Sequence, residues 1–84
     1  MTWDEVRAKY PDQWVLMEAF EAYTENGKRI IPKMVVLGAH GADWWSVWKQ
    51  YKVMKELAPD REHFFYHTSN TVMNIEIRMS GIRV

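Results

Sequence analysis

Eighty-four residues with eleven basic and eleven acidic side chains and no cysteine make a neutral chain sized for one domain. The charge balance argues against gripping a nucleic-acid backbone, which takes a cation per phosphate contact, and the absence of thiols excludes disulfides, thiolate metal sites and a thiol nucleophile. No apolar run approaches the roughly 18 residues of a membrane-spanning helix, and the acidic start Thr2-Trp3-Asp4-Glu5 is no signal peptide, so a cytoplasmic location is expected.

Thr2-Trp3-Asp4-Glu5 fits a capping box, with Thr2 accepting from the Glu5 amide and Glu5 reaching back. A short helix over about 3 to 9 then places Trp3, Val6 and Tyr10 on one side. Pro11 stops it, because the residue before a proline is disfavoured in helical geometry. Strand one is expected from about Gln13 to Thr24 and strand two from about Lys28 to Ala39. Between them Asn26-Gly27 supplies the two positive φ angles of a type I′ turn. That turn sets the register: Tyr23 faces Ile30, Ala19 faces Met34 and Met17 faces Val36. Pro32 cannot donate to a ladder and marks strand two as an edge.

His40-Gly41-Ala42 reads as a loop and Asp43 as the N-cap of a helix from Trp44 to about Leu57. At 100° per residue, Trp44, Val47, Trp48, Tyr51, Met54 and Ala58 share the face expected to lie on the hairpin. Lys49, Lys52 and Glu56 mark the wet side, Lys55 borders the stripe and can snorkel, and Trp45 points well away. After a turn at Asp60-Arg61-Glu62 comes a third strand, His63 to Thr68. Alternation from Val72 to Met79 makes a fourth, and Gly81 ends it before the tail Ile82-Arg83-Val84. The order αββαββ describes a single α+β domain over 1–84. Its core is a small antiparallel sheet with one main helix packed on one face and the third strand beside strand one. Five tryptophans and six methionines in so short a chain mostly build its core.

Chemistry is thinly signalled. His63 and His67, four apart on a strand, lie about 13 Å from each other and cannot share a metal. His40 can reach one of them only through tertiary contact, so neither a metal nor a cofactor is expected. An enzyme or small-ligand binder would have to use His40, His63 or His67 with Glu18 or Glu21, yet nothing in the sequence places a second acid at a catalytic separation. Ser46, Ser69 and Ser80 lack a nucleophile motif, and Gly38-Ala39-His40-Gly41 is no phosphate loop. Lys49, Lys52 and Lys55 beside Trp45 suggest at most a weak nucleic-acid contact. Three lysines on a neutral domain are ordinarily just a solvated helix face.

The alternation of the hairpin carries more. Val15, Met17, Ala19, Glu21 and Tyr23 fall on one face, with Ile30, Pro32, Met34 and Val36 opposite. Trp14, Leu16, Phe20 and Ala22 fall on the other, opposite Ala39, Leu37, Lys33 and Ile31. One helix covers one face. Unless Trp3, Tyr10 and Ile82 close over the second, an apolar patch stays open, and such patches mark partner surfaces. The expected binding residues are Trp14, Leu16, Phe20 and Lys33, with Trp45 as an outlying anchor. They would serve a protein partner or self-association, for example as a homodimer.

The segment Lys9-Tyr10-Pro11-Asp12-Gln13-Trp14-Val15-Leu16, then Glu18-Ala19, Glu21-Ala22 and Glu25-Asn26-Gly27-Lys28-Arg29-Ile30, has a recognisable cast. So do Trp48, Tyr51, His67-Thr68-Ser69 and Gly81-Ile82-Arg83. Over nearly its whole length the chain resembles a group of short prokaryotic proteins of unknown function that open with Lys-Tyr-Pro-x-x-Trp-Val. Members of that group are often encoded beside small retropepsin-like aspartic proteases. The resemblance implies the same order of elements and a partner protein. It implies no activity and transfers no functional residue. Trp44-Trp45 and the Met34 region depart from the group's pattern.

Overall fold

The computed structural model describes residues 1–76, so the expected strand beyond Glu76 and the tail after Gly81 lie outside the described residues. The described elements are α1 (Trp3–Lys9), β1 (Trp14–Glu25), β2 (Lys28–Ala39), α2 (Trp44–Leu57), β3 (His63–His67) and β4 (Ile75–Glu76). The sheet runs β3-β1-β2-β4, and each neighbouring pair is antiparallel. The fold is α+β.

Local chemistry sets the ends of these elements. The Thr2 hydroxyl accepts from the Glu5 amide at 3.2 Å while the Thr2 amide donates to Glu5 Oε1 at 2.8 Å. Seven residues are too few to hold a helix alone, so α1 depends on Val6, which is wholly buried. The Asp43 carboxylate accepts from the Ser46 amide at 3.0 Å and starts α2. At the hairpin tip Asn26 has φ 52° and Gly27 φ 75°, the two positive angles of the expected turn.

Register follows that turn for Tyr23 with Ile30, Ala19 with Met34 and Met17 with Val36. Elsewhere the ladder slips, and three expected pairings are corrected. Leu16 faces Gly38 instead of Leu37, Ala39 faces Val15 instead of Trp14, and Lys33 faces Glu21 instead of Phe20. The cause is a set of bulges. Between the Glu21 and Tyr23 pairs, β2 carries Ile31 and Pro32 against Ala22 alone. Between the Ala19 and Glu21 pairs, Phe20 has no partner, and Leu37 is extra on β2. A proline cannot donate to a ladder, so its place in a bulge is the physical solution.

These bulges bend the hairpin. Arg29, near the tip, reaches back to Glu62 just before β3 with two hydrogen bonds of 2.8 and 2.7 Å. The two ends of the strand order also approach, since the Asn74 amide donates to the Tyr66 hydroxyl at 3.2 Å. On the outer edge of β2, β4 pairs with Lys28 and Arg29, and Met1 exchanges hydrogen bonds with Met34 in both directions.

Both faces of the sheet are covered. On one, Val6, Val15, Met17 and Met34 are wholly buried, with Trp3, Tyr10, Ile31, Val36, Phe64, Tyr66 and Met73 packed around them. On the other, Leu16 and Val47 are wholly buried, and Tyr51 of α2 sits edge-on to Phe65, the β3 partner of Leu16, at 5.2 Å. The main helix therefore packs on the Leu16 face, not on the Met17 face where it was expected. The short α1, with Trp3 and Tyr10, closes the Met17 side. Gly38 lets α2 come close, because a Cβ there would run into the Gln50 side chain.

The helix stripe shifts in consequence. Val47 is the buried centre, Trp48 is only partly buried and Trp44 is nearly half exposed. The three α2 tryptophans pack on one another, with Trp45 and Trp48 stacked at 5.1 Å and Trp44 and Trp48 at 6.3 Å.

Candidate interaction surface and the cavity at His63

The expected partner residues separate. Leu16 is wholly buried and leaves any contact surface. Trp14 is half-buried, edge-on to His67 at 5.1 Å and close to Phe65 at 6.0 Å, so its ring belongs to the aromatic packing beside β3. Phe20 is 72% exposed and Trp45 54% exposed. The Lys33 ammonium stands in solvent 3.7 Å from Glu21. Glu21 thus points to water beside Lys33, as its bulge allows.

Further large apolar side chains are exposed on α2 and β2, which the sequence did not reveal. The Gln50 carboxamide donates to the Leu37 carbonyl at 3.5 Å, so that flank of α2 overlooks β2. Val53 and Leu57 follow Gln50 at helical spacings that keep them on the same flank. Val35 pairs with Glu18, whose carboxylate meets His63 on the α2 side, so Val35 faces the same way. Phe20, Val35, Val53 and Leu57 are all exposed, Leu57 by 73%. The second aromatic surface is the tryptophan stack, with Lys52 Nζ 4.9 Å over the Trp48 ring.

The histidines are not brought together. His40 is a clamp: its Nδ1 meets the Ser46 hydroxyl at 2.8 Å and its Nε2 the Gln50 carboxamide oxygen at 2.5 Å, tying the loop after β2 to α2. His67 pairs with the Ser69 hydroxyl at 2.8 Å. Trp14 lies between the two backbones, bonded to His40 on one side and paired with His67 on the other. Two strand spacings, about 10 Å, therefore separate them. No group of three or more metal-ligating side chains occurs among the described residues.

His63 differs. Its side chain is wholly buried, and Nε2 lies 3.3 Å from Glu18 Oε1. That contact lacks hydrogen-bond alignment, and neither ring nitrogen has a hydrogen-bond partner. The Glu18 carboxylate accepts from Arg61 at 2.6 Å. Glu62 is held by Arg29, whose hydrogen bonds and charge keep its carboxyl below the usual glutamate range. Tyr51, Lys55, Pro59, Arg61, Glu62 and His63 line an open cleft of about 270 Å³. Another, of about 330 Å³, is lined by Tyr51, Phe64, Phe65, Tyr66, Asn74 and Ile75 and is mostly aromatic.

Two polar residues here escaped sequence reasoning. Arg61 read as part of a turn, but it holds Glu18 across the sheet. Thr68, almost wholly buried, ties the α1–β1 connection to the end of β3. Its hydroxyl donates to the Tyr10 carbonyl at 2.7 Å and accepts from the Gln13 amide at 2.9 Å, while Arg7 Nε donates to its carbonyl at 2.9 Å. No spacing rule announces either residue, because each acts on a neighbour more than forty residues away.

Compared with family models, with curated proteins and with solved structures, the chain matches none. No helix among the described residues is long and apolar enough to cross a membrane. The fold and these side-chain arrangements are the basis for a reading of function.

Proposed function

We propose that this chain is a non-enzymatic protein-interaction module of the cytoplasm, acting through the α2 flank and the bent hairpin. The observation that carries this reading is the exposure of Phe20 and Leu57, each nearly three-quarters open to solvent, along with that of Val35 and Val53. Several large apolar side chains left in solvent favour a partner surface over a solvated one. Phe20 supplies the kind of aromatic anchor on which affinity usually concentrates. The partner is a second copy of the chain or another protein. Trp45 and Lys33 are exposed at other points and are secondary contacts in this reading.

Phe20→Asp with Leu57→Lys tests it. Both side chains point to water, so the fold should survive, and circular dichroism verifies that. Sedimentation at micromolar concentration reads self-association, and capture with wild-type and doubly substituted baits reads other partners. A contact present in the wild type and lost in the variant supports the proposal. A strict monomer whose two baits capture the same proteins overturns it.

A further inference from the structure

We propose that the outer edge of β3 pairs with the β3 edge of a second copy of this chain, antiparallel and centred on Phe65. The inference uses none of the side chains on the α2 flank.

Backbone parity exposes this edge. Trp14 spends both its backbone groups on the β2 side, accepting from the His40 amide at 2.8 Å and donating to the Gly41 carbonyl at 2.7 Å. The bonds from β1 towards β3 therefore belong to the alternate residues, and Gln13 with Thr68 and Ala19 with Glu62 mark their two ends. The same parity makes Val15–Tyr66 and Met17–Phe64 the bonded pairs between them. It turns the N–H and C=O of Phe65 away from the sheet. Among the described residues no hydrogen bond reaches either group.

The two edges of the sheet differ in protection. Along β2, Met1 bonds Met34, β4 pairs with Lys28 and Arg29, and Pro32 has no donor to offer. β3 is His63-Phe64-Phe65-Tyr66-His67, with no proline, lysine, arginine or carboxylate to guard it. An open cleft of about 330 Å³ lies beside Phe64, Phe65 and Tyr66, with Tyr51 and Asn74 among its other walls.

A second copy suits such an edge. With a two-fold axis at Phe65, each Phe65 exchanges both its hydrogen bonds with its counterpart, and Phe64 of one copy stands opposite Tyr66 of the other. Aromatic side chains so placed attract across the strands. No like charges meet along the pair. Eleven basic and eleven acidic side chains cancel in each chain, so two copies approach without net repulsion.

Isotope-filtered NMR on a mixture of labelled and unlabelled chains tests this. Phe64 and Tyr66 of different copies would form a non-hydrogen-bonded pair, with Cα atoms about 4.5 Å apart. An intermolecular contact between their Hα protons is the expected result, with exchange of the Phe65 amide slowing as concentration rises. Phe65→Lys sets like charges directly across the axis and should weaken association roughly tenfold, as should Phe65→Glu. Mixing the two variants should restore it. Circular dichroism verifies their folds, and the filtered contact is read on the wild-type chain whatever the variants do. Phe20→Asp with Leu57→Lys should leave that contact in place, so this proposal and the α2-flank reading fail separately. Absence of the filtered contact overturns the proposal, as does a mixture of the folded variants that associates no better than either alone. Phe65 protection that ignores concentration overturns it in favour of the chain's own residues beyond 76, and protection only on adding another protein overturns it in favour of that partner.

Discussion

Leu16 and Met17 are neighbours in β1, and both are wholly buried, on opposite faces of the sheet. Leu16 lies under α2 with Phe65 as its β3 partner, and Met17 lies under α1 with Val6. A strand with one wet face cannot bury two successive side chains, so this pair is the signature of a sheet covered on both sides. Leu16→Ala and Met17→Ala should each cost about 2–5 kcal/mol, the range for truncating buried aliphatic side chains. Urea denaturation measures both. A Leu16→Ala variant as stable as wild type would remove α2 from the face assigned to it.

The same residues show what could be read in advance. Trp14-Val15-Leu16-Met17 is a continuous apolar run, and such a run signals burial on both faces where alternation signals one. Reading it as alternation left the Leu16 face open. Other features were legible because their causes are local. Thr2 and Asp43 cap helices through hydrogen bonds within three residues, and Asn26-Gly27 needs only its own backbone angles. Pro32 marks an irregularity in β2, but the bulge at Phe20 and the extra Leu37 depend on how two long strands pair, and no local pattern marks them. The His63–Glu18 contact depends on the β1–β3 register, which no tight turn sets. What the sequence hides is what distance in the chain decides.

Gly38 and Gln50 form a coupled pair. A methyl group at position 38 would occupy the space of the Gln50 carboxamide, whose oxygen also meets His40. The obstructing group is the far end of a flexible side chain, so Gly38→Ala should cost about 1 kcal/mol, the low end of overpacking. In a Gln50→Ala background the space is vacant, and the same substitution should cost much less. A double-mutant cycle by chemical denaturation reads the coupling. Strictly additive costs would mean that the Gln50 side chain does not fill the space beside Gly38.

The Arg29–Glu62 pair gives a pH dependence with a definite sign. Hydrogen bonds from Arg29, then its charge, hold the Glu62 carboxyl below its ordinary range against the opposing effect of burial. A carboxyl depressed in the folded state stabilises fully above its unfolded value, about 4.3. That contribution fades as the pH falls through the lower folded value. Both side chains are partly exposed, so the contribution is modest and screened by salt. Stability measured from pH 6 down to pH 2 should fall less steeply in Glu62→Gln than in wild type. Parallel curves would show that the pair does not survive in solution.

The hairpin turn separates backbone strain from packing. Gly27 has φ 75°, and a Cβ built there meets nothing within 4 Å. Whatever Gly27→Ala costs must therefore come from forcing an L-residue into the left-handed region, about 1 kcal/mol or somewhat more. D-alanine at the same position, introduced by chemical ligation, prefers positive φ and restricts the unfolded chain. It should match or exceed the wild type in stability. Since the bend of the hairpin carries Arg29 to Glu62, a weakened turn should also loosen that pair and flatten the pH dependence above. Thermal denaturation of the L- and D-alanine proteins at two pH values reads both effects. Equal destabilisation by the two enantiomers would mean that the turn is not type I′ and that the register derived from it is wrong.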